Sequence, residues 1–182
     1  MTDLPLPDRP GALTIRSVRA DEWRTWRQIR LRMLRDDAAF FSTRYEDMVR
    51  EPDKTWRDWV AEAAVGDEKT LFVAEEEARW LGLVGAFARV NPQEVQLISM
   101  WVDPQARGRG VARDLIRSVA SWADARGAAR VVLFVQEANE PAQRLYKQAG
   151  FTPTGDRAPA AGGRSAFKLV LAAPVGDLLA TS

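Results

Sequence analysis

Gln105-Ala106-Arg107-Gly108-Arg109-Gly110-Val111-Ala112 is the stretch on which the reading of this chain turns. Upstream, Val95 to Val102 reads as a strand stopped by Asp103-Pro104. Downstream, the pairs 111/112, 115/116 and 119/120 and then Ala123 repeat every fourth residue as one apolar helical stripe, with Arg113, Asp114, Arg117, Ser118 and Ser121 facing out. The octapeptide is therefore a strand-to-helix turn. Its two glycines, one residue apart, let the backbone approach a ligand closely and take φ values that a side chain forbids. The helix behind them presents unpaired N–H groups and the positive end of its dipole. A phosphate or pyrophosphate suits such a turn, and Arg107, Arg109 and Arg113 add positive charge. Hydrogen bonds to a charged group contribute about 1.5–3 kcal/mol each, so a few aligned amides can hold a nucleotide without a metal.

Two familiar phosphate loops fit poorly. A Walker loop needs Lys followed by Ser or Thr after its last glycine, whereas Val111, Ala112 and Arg113 follow Gly110. A dinucleotide fingerprint needs a third glycine where Arg113 stands.

Composition narrows the chemistry further. The chain has 182 residues, 46% of them hydrophobic, which suits one domain with a real core. The expected organisation is a loose leader over residues 1–11, one domain over 12–173 and a tail over 174–182. The proline-bearing start lacks the apolar core of a signal peptide, and no run approaches the ~18 apolar residues of a membrane span. With no cysteine there is no disulfide framework, thiolate nucleophile or zinc–thiolate site; with no histidine the commonest general base and metal ligand is missing. No metal is expected. A net charge of +1 gives no footprint for nucleic acid or an anionic membrane, and the cytoplasm is the expected compartment.

Periodicity predicts the remaining elements. Ala12 to Val18 reads as a strand, and Asp21 as the N-cap of a helix in which Trp23, Trp26, Ile29, Arg30, Met33 and Leu34 recur at helical spacing through Asp36. Residues 38–65 read as irregular, then helical, with Pro52 interrupting. Strands follow over Thr70–Glu75, Trp80–Val90 and Val95–Val102; after the central helix, which Gly127 stops, comes Arg130–Val135. A last helix begins with Asn139 as cap and Pro141 just inside, and ends at Gly150. Two strands, Phe151–Gly155 and Ser165–Leu171, enclose a loop over 156–164.

The run Asn139-Glu140-Pro141-Ala142-Gln143-Arg144-Leu145-Tyr146-Lys147-Gln148-Ala149-Gly150-Phe151 adds a second signature. Together the glycine turn, read as Gln/Arg-x-x-Gly-x-Gly/Ala, and this run, read as Asn-x-x-Ala-x-x-Leu-Tyr-x-x-x-Gly-Phe, resemble the GCN5-related N-acetyltransferase (GNAT) superfamily. The likeness covers roughly residues 13–171, and its specific part lies within about 95–152. The resemblance implies an α/β (α+β) acyl-CoA acyltransferase fold, a mixed, mostly antiparallel sheet of about seven strands with helices on both faces.

It also implies acetyl-CoA as cosubstrate and a small-molecule or peptide amine as acceptor. The pyrophosphate would lie on the amides of Arg107, Gly108, Arg109, Gly110, Val111 and Ala112. The pantetheine would run along Met100 to Val102, where the family's fourth and fifth strands splay, beside Asn139 and Ala142. Tyr146 would protonate the leaving thiolate after direct attack by the amine, so that no enzyme nucleophile is needed. Phe41, Tyr45, Gln96 and Ser99 would line the acceptor site, and Arg144 and Lys147 could meet the 3′-phosphate. Many relatives carry Glu where this chain has Gln96, so a base is sought among Glu94, Glu137 and Glu46, or the amine arrives neutral. A CoA-binding sensor without turnover, or a different acyl donor, stays open as an alternative. Homodimers are frequent in the family.

Overall fold

The computed structural model describes residues 12–41, 43–159 and 167–180. Seven strands form one sheet in the order β1-β2-β3-β4-β5-β7-β6: β1 (Thr14–Ser17), β2 (Lys69–Glu76), β3 (Arg79–Ala88), β4 (Glu94–Val102), β5 (Arg130–Gln136), β6 (Thr152–Pro159) and β7 (Phe167–Pro174). Every neighbouring pair is antiparallel except β4 and β5. Among the described residues there are six α-helices: α1 (Trp23–Asp36), α2 (Tyr45–Met48), α3 (Asp53–Val65), α4 (Val111–Ala125), α5 (Glu140–Gln148) and α6 (Val175–Ala180).

Strand alternation divides the core. On β2, Leu71 and Val73 join one cluster with Trp23, Trp26 and Met33 of α1 and Trp56 and Val60 of α3. Phe72 and Ala74 point the other way, into a cluster with Val111, Leu115 and Val119 of α4, Tyr146 of α5 and Ala149 just after it. The stripe foreseen on the central helix is buried at Val111, Leu115, Ile116, Val119, Ala120 and Ala123, while Ala112 is half-buried. Gly82 sets how close that helix comes. A Cβ there would stand 3.0 Å from Val111 Cγ1 and 3.1 Å from both Leu115 Cδ1 and the Trp101 carbonyl oxygen, so the missing side chain lets the first turn of α4 lie against β3.

Several boundaries differ from those read off the sequence. Asp21 lies inside a 3₁₀ turn (Ala20–Glu22), and Glu22 precedes α1 as its cap. The foreseen loop over 156–164 begins late, because residues 156–159 continue β6 alongside β7; its remainder, like the leader over 1–11, lies outside the described residues. The tail over 174–182 contains α6, whose Val175 and Leu178 are buried in the cluster under α4. A six-residue segment right after Pro174 carries too few turns for a periodic signal, and its burial is decided by docking on α4.

Candidate functional site

Parallel pairing between β4 and β5 runs from Glu94–Arg130 to Gln96–Val132 and stops there. Beyond Gln96, β4 continues to Val102 while pairing antiparallel with β3 alone, so its other edge turns towards the gap that opens between the two strands. In the same stretch β4 carries a bulge. Ser99 and Met100 together oppose Val84, between the pairs Leu83–Trp101 and Gly85–Ile98, and Ser99 takes a left-handed φ of +54°. The bulge reverses the facing of the strand. Before it, Val95 and Leu97 point to the α4 side; after it, Met100 and Val102 do, and Trp101 joins the α1–α3 side. Gly85 makes room, since a Cβ there would lie 3.0 Å from Ile98 Cγ1.

The strand ends at a buried anchor. Asp103 caps the 3₁₀ turn Pro104–Ala106 by accepting from the Gln105 amide at 3.0 Å. It also accepts from Arg79 Nη2 at 3.0 Å and lies 3.6 Å from Arg32 Nη1. Burial opposes its ionisation, but the Gln105 amide and the two guanidiniums outweigh that and hold the carboxyl below its ordinary value. The glycine turn therefore leaves a fixed point. Gly108 and Gly110 both take left-handed φ, +78° and +84°. Gly110 is the N-cap of α4 and contributes no side chain, so the Val111 and Ala112 amides have no side-chain cap at the positive end of a 15-residue helix, while the Arg113 amide donates to the Gly110 carbonyl at 2.9 Å.

The arginines of the turn are less free than their sequence suggests. Arg109 is held by Glu76 at the end of β2, with Nη1–Oε2 3.2 Å and Nη2–Oε1 2.6 Å. That pairing raises the Arg109 value and lowers that of Glu76. Arg107 donates from Nε to the Val102 carbonyl oxygen at 3.3 Å. An anion on this turn meets main-chain donors first.

Asn139 is the N-cap of α5, its Oδ1 accepting from the Ala142 amide at 3.2 Å. The other end of α5 closes with Gly150 at φ +100°, the Phe151 amide bonding the Tyr146 carbonyl at 2.9 Å and the Gly150 amide that of Lys147 at 3.1 Å. This turn brings Phe151 edge-on to Tyr146, ring centroids 5.7 Å apart. Tyr146 is 7% exposed, and burial pushes its phenol well above the ordinary tyrosine value.

Met100, Val102, Val111, Ala142 and Tyr146 are thus gathered around one apolar cluster. Phe41 and Tyr45 lie elsewhere, around a cavity of about 340 Å³ shared with Leu34, Thr43 and Glu46. Of the three carboxylates considered as bases, Glu94 is clamped by Arg89 and Arg130 where β4 and β5 still pair, and Glu137 pairs with Arg157. Glu46 lines the cavity, with Arg44 Nε 3.8 Å away. Arg144 pairs with Glu140. The Asp103 anchor and the Ser99 bulge escaped the sequence reading. The one is a single carboxylate whose arginine partners lie 24 and 71 residues upstream in the chain; the other is a one-residue shift of alternation inside a strand.

The residues 18–151 match the Acetyltransferase (GNAT) family. A mycothiol acetyltransferase of Thermomonospora curvata is 30% identical over 84% of this chain and 49% of its own length. The chain spans about half the length of the curated mycothiol acetyltransferases it matches. Among solved structures, an acetyltransferase from Salmonella typhimurium with its cofactor acetyl-CoA superposes with a TM-score of 0.73 at 19% identity, over 90% of this chain and 94% of that one. A spermidine N-acetyltransferase from Vibrio cholerae, in complex with CoA and spermine, gives 0.72 at 19% identity over 92% and 98%. At such identity these two speak to the fold, the seven-stranded mixed sheet foreseen from the sequence. With a family match across most of its length and both signatures in place, the chain belongs to the GNAT acetyltransferase family.

Proposed function

We propose that the chain transfers the acetyl group of acetyl-CoA to the amine of a small molecule or peptide. The observation that carries this reading is the early end of β4–β5 pairing at Gln96–Val132, next to an uncapped glycine turn and a buried tyrosine. In this reading the diphosphate accepts from the amides of Arg107 to Ala112, and the pantetheine arm follows the free edge of β4 at Met100 and Val102. Asn139 spends its Oδ1 on the cap and keeps its side-chain amide for a ligand, beside Ala142. That several relatives and neighbours are named acetyltransferases supports the donor.

The chemistry asks little of the side chains. The neutral amine attacks the thioester carbonyl, the new C–N bond forms as C–S breaks, and the thiolate leaves. Burial keeps the Tyr146 phenol protonated, so it meets the developing thiolate as a hydrogen-bond donor. Proton transfer from a phenol near 10 to a thiolate near 8.5 runs uphill in water, and burial raises both groups, so the phenol acts by donating a hydrogen bond to the leaving thiolate and the proton released by the amine ends on the thiol. The amine, near 10.4 in water, loses its proton before attack. Gln96 cannot take it, and Glu46, beside Phe41 and Tyr45, is the carboxylate that lines the cavity.

Gln96 also favours a second reading, a CoA-binding sensor without turnover. Thiol release from acetyl-CoA across a panel of amines separates the two: amine-dependent release supports the transferase, and tight binding of acetyl-CoA with no release for any amine supports the sensor.

A further inference from the structure

The apolar stripe of α1 contains a cation. Arg30 Cζ lies 5.0 Å from the ring centroid of Phe41 and 6.0 Å from that of Trp26, and its Nη1 is buried without a hydrogen-bond partner. One turn earlier, Arg27 Cζ lies 5.9 Å from the Trp56 ring and its Nη2 reaches the Val49 carbonyl oxygen at 3.4 Å. Arg27 Nε and Trp56 Nε1 are likewise buried and unpartnered. Arginines elsewhere behave differently: Arg16, Arg79, Arg109 and Arg130 each hold a carboxylate. Among the described residues no carboxylate lies within ion-pair distance of Arg27 or Arg30. Aromatic faces offset part of this burial, yet three buried donors without an acceptor are a costly arrangement unless something acceptor-rich completes it.

The position of the group says what that is. Phe41, under Arg30, also lines the cavity of about 340 Å³, as does Leu34 one turn along α1. Further round the same helix, Arg32 lies over the Trp101 ring at 5.5 Å and 3.6 Å from Asp103, at the end of β4 past the bulge. Helix α1 thus links the cavity to the strand edge on which the proposed donor lies. Burial, which pushes Arg30 down to about 10, still leaves it cationic at neutral pH.

We propose that Arg30, backed by Arg27, binds an anionic group of the acceptor, so that the favoured acceptor is an amine that also carries a carboxylate. A guanidinium fork matches a carboxylate with two parallel hydrogen bonds, whereas a polyamine would bring a like charge to the same donors. The proposal rests on the acetyl-transfer reading for its consequence, and its first test does not need turnover.

With CoA bound, the protein is titrated with 4-aminobutanoate, 6-aminohexanoate and glutamate and with their carboxamides, following tryptophan fluorescence. The acids should bind more tightly than the amides. Arg30→Met should erase that preference, a loss of about 10- to 100-fold for the acids, with CoA affinity unchanged; Arg30→Lys should keep part of it and covers the case in which the methionine variant does not fold. Equal binding of acids and amides by the native protein, tighter binding of diamines, or an undiminished preference in a folded Arg30→Met would overturn the proposal. In the transfer assay the same pairs should differ in kcat/KM. An acid preference in binding without thiol release would instead count against the transferase reading alone.

Discussion

Tyr146 is the proposed hydrogen-bond donor to the leaving thiolate, and its burial sets how it would act. Its ring is fixed by Phe151 through the Gly150 turn, and its phenol is desolvated. Because burial raises its value, the hydroxyl keeps its proton through and above the pH at which an ordinary tyrosine ionises, about 10. The rate should therefore rise with pH as the amine is deprotonated and show no fall below about pH 10 from loss of the phenolic proton. Tyr146→Phe should lower kcat by about 100-fold or more at every pH, with the acetyl-CoA dissociation constant within about threefold of native; initial rates and a direct binding titration read the two. A descending limb near pH 8 that vanishes in the phenylalanine variant would show that the phenol ionises far more easily than its burial implies.

Among elements, β4 and α4 carry the account. The bulge at Ser99–Met100 turns Met100 and Val102 towards α4, and Gly82 lets the first turn of α4 rest against β3. Gly82→Val would drive its side chain into Val111, Leu115 and the Trp101 carbonyl. The expected cost is about 1–3 kcal/mol of stability, together with a weaker acetyl-CoA complex because the turn at Gly108–Gly110 shifts with its helix. Denaturant melts and a binding titration test this, and a variant with native affinity would show that the helix can move without its turn. At this scale the sequence was most legible where signals are local. The glycine turn, the amphipathic stripe of α4 and the Asn139 to Phe151 run each lie in one short unbroken stretch of chain, and each is read without knowing what packs on it. The bulge was not legible, because Val95 to Val102 has only Gln96 and Ser99 among its apolar residues, too few polar positions to set an alternation whose break could be seen. Arg30 was visible as a charge within an apolar helical stripe, but its want of a partner depends on residues from α3 and the segment around Phe41.

Across the whole molecule, the sheet is completed from a distance. The centre of the sheet is buried under α4, and α4 is in turn held by α6, the segment after Pro174. Leu178, 3% exposed, should cost about 2–5 kcal/mol of unfolding free energy when replaced by alanine, as measured by denaturant unfolding. A change below about 0.5 kcal/mol would mean that α6 is an appendage and the domain ends near 173. Among the described residues no helix is long and apolar enough to cross a membrane. In the proposed complex, main-chain donors of the glycine turn and the free edge of β4 hold the coenzyme. Amide hydrogen exchange of the native protein, with and without saturating acetyl-CoA, addresses it directly. Exchange should slow at residues 107–112 and at 100–102, while the paired start of β4 changes little. Saturation by acetyl-CoA with those amides exchanging as fast as before would contradict it.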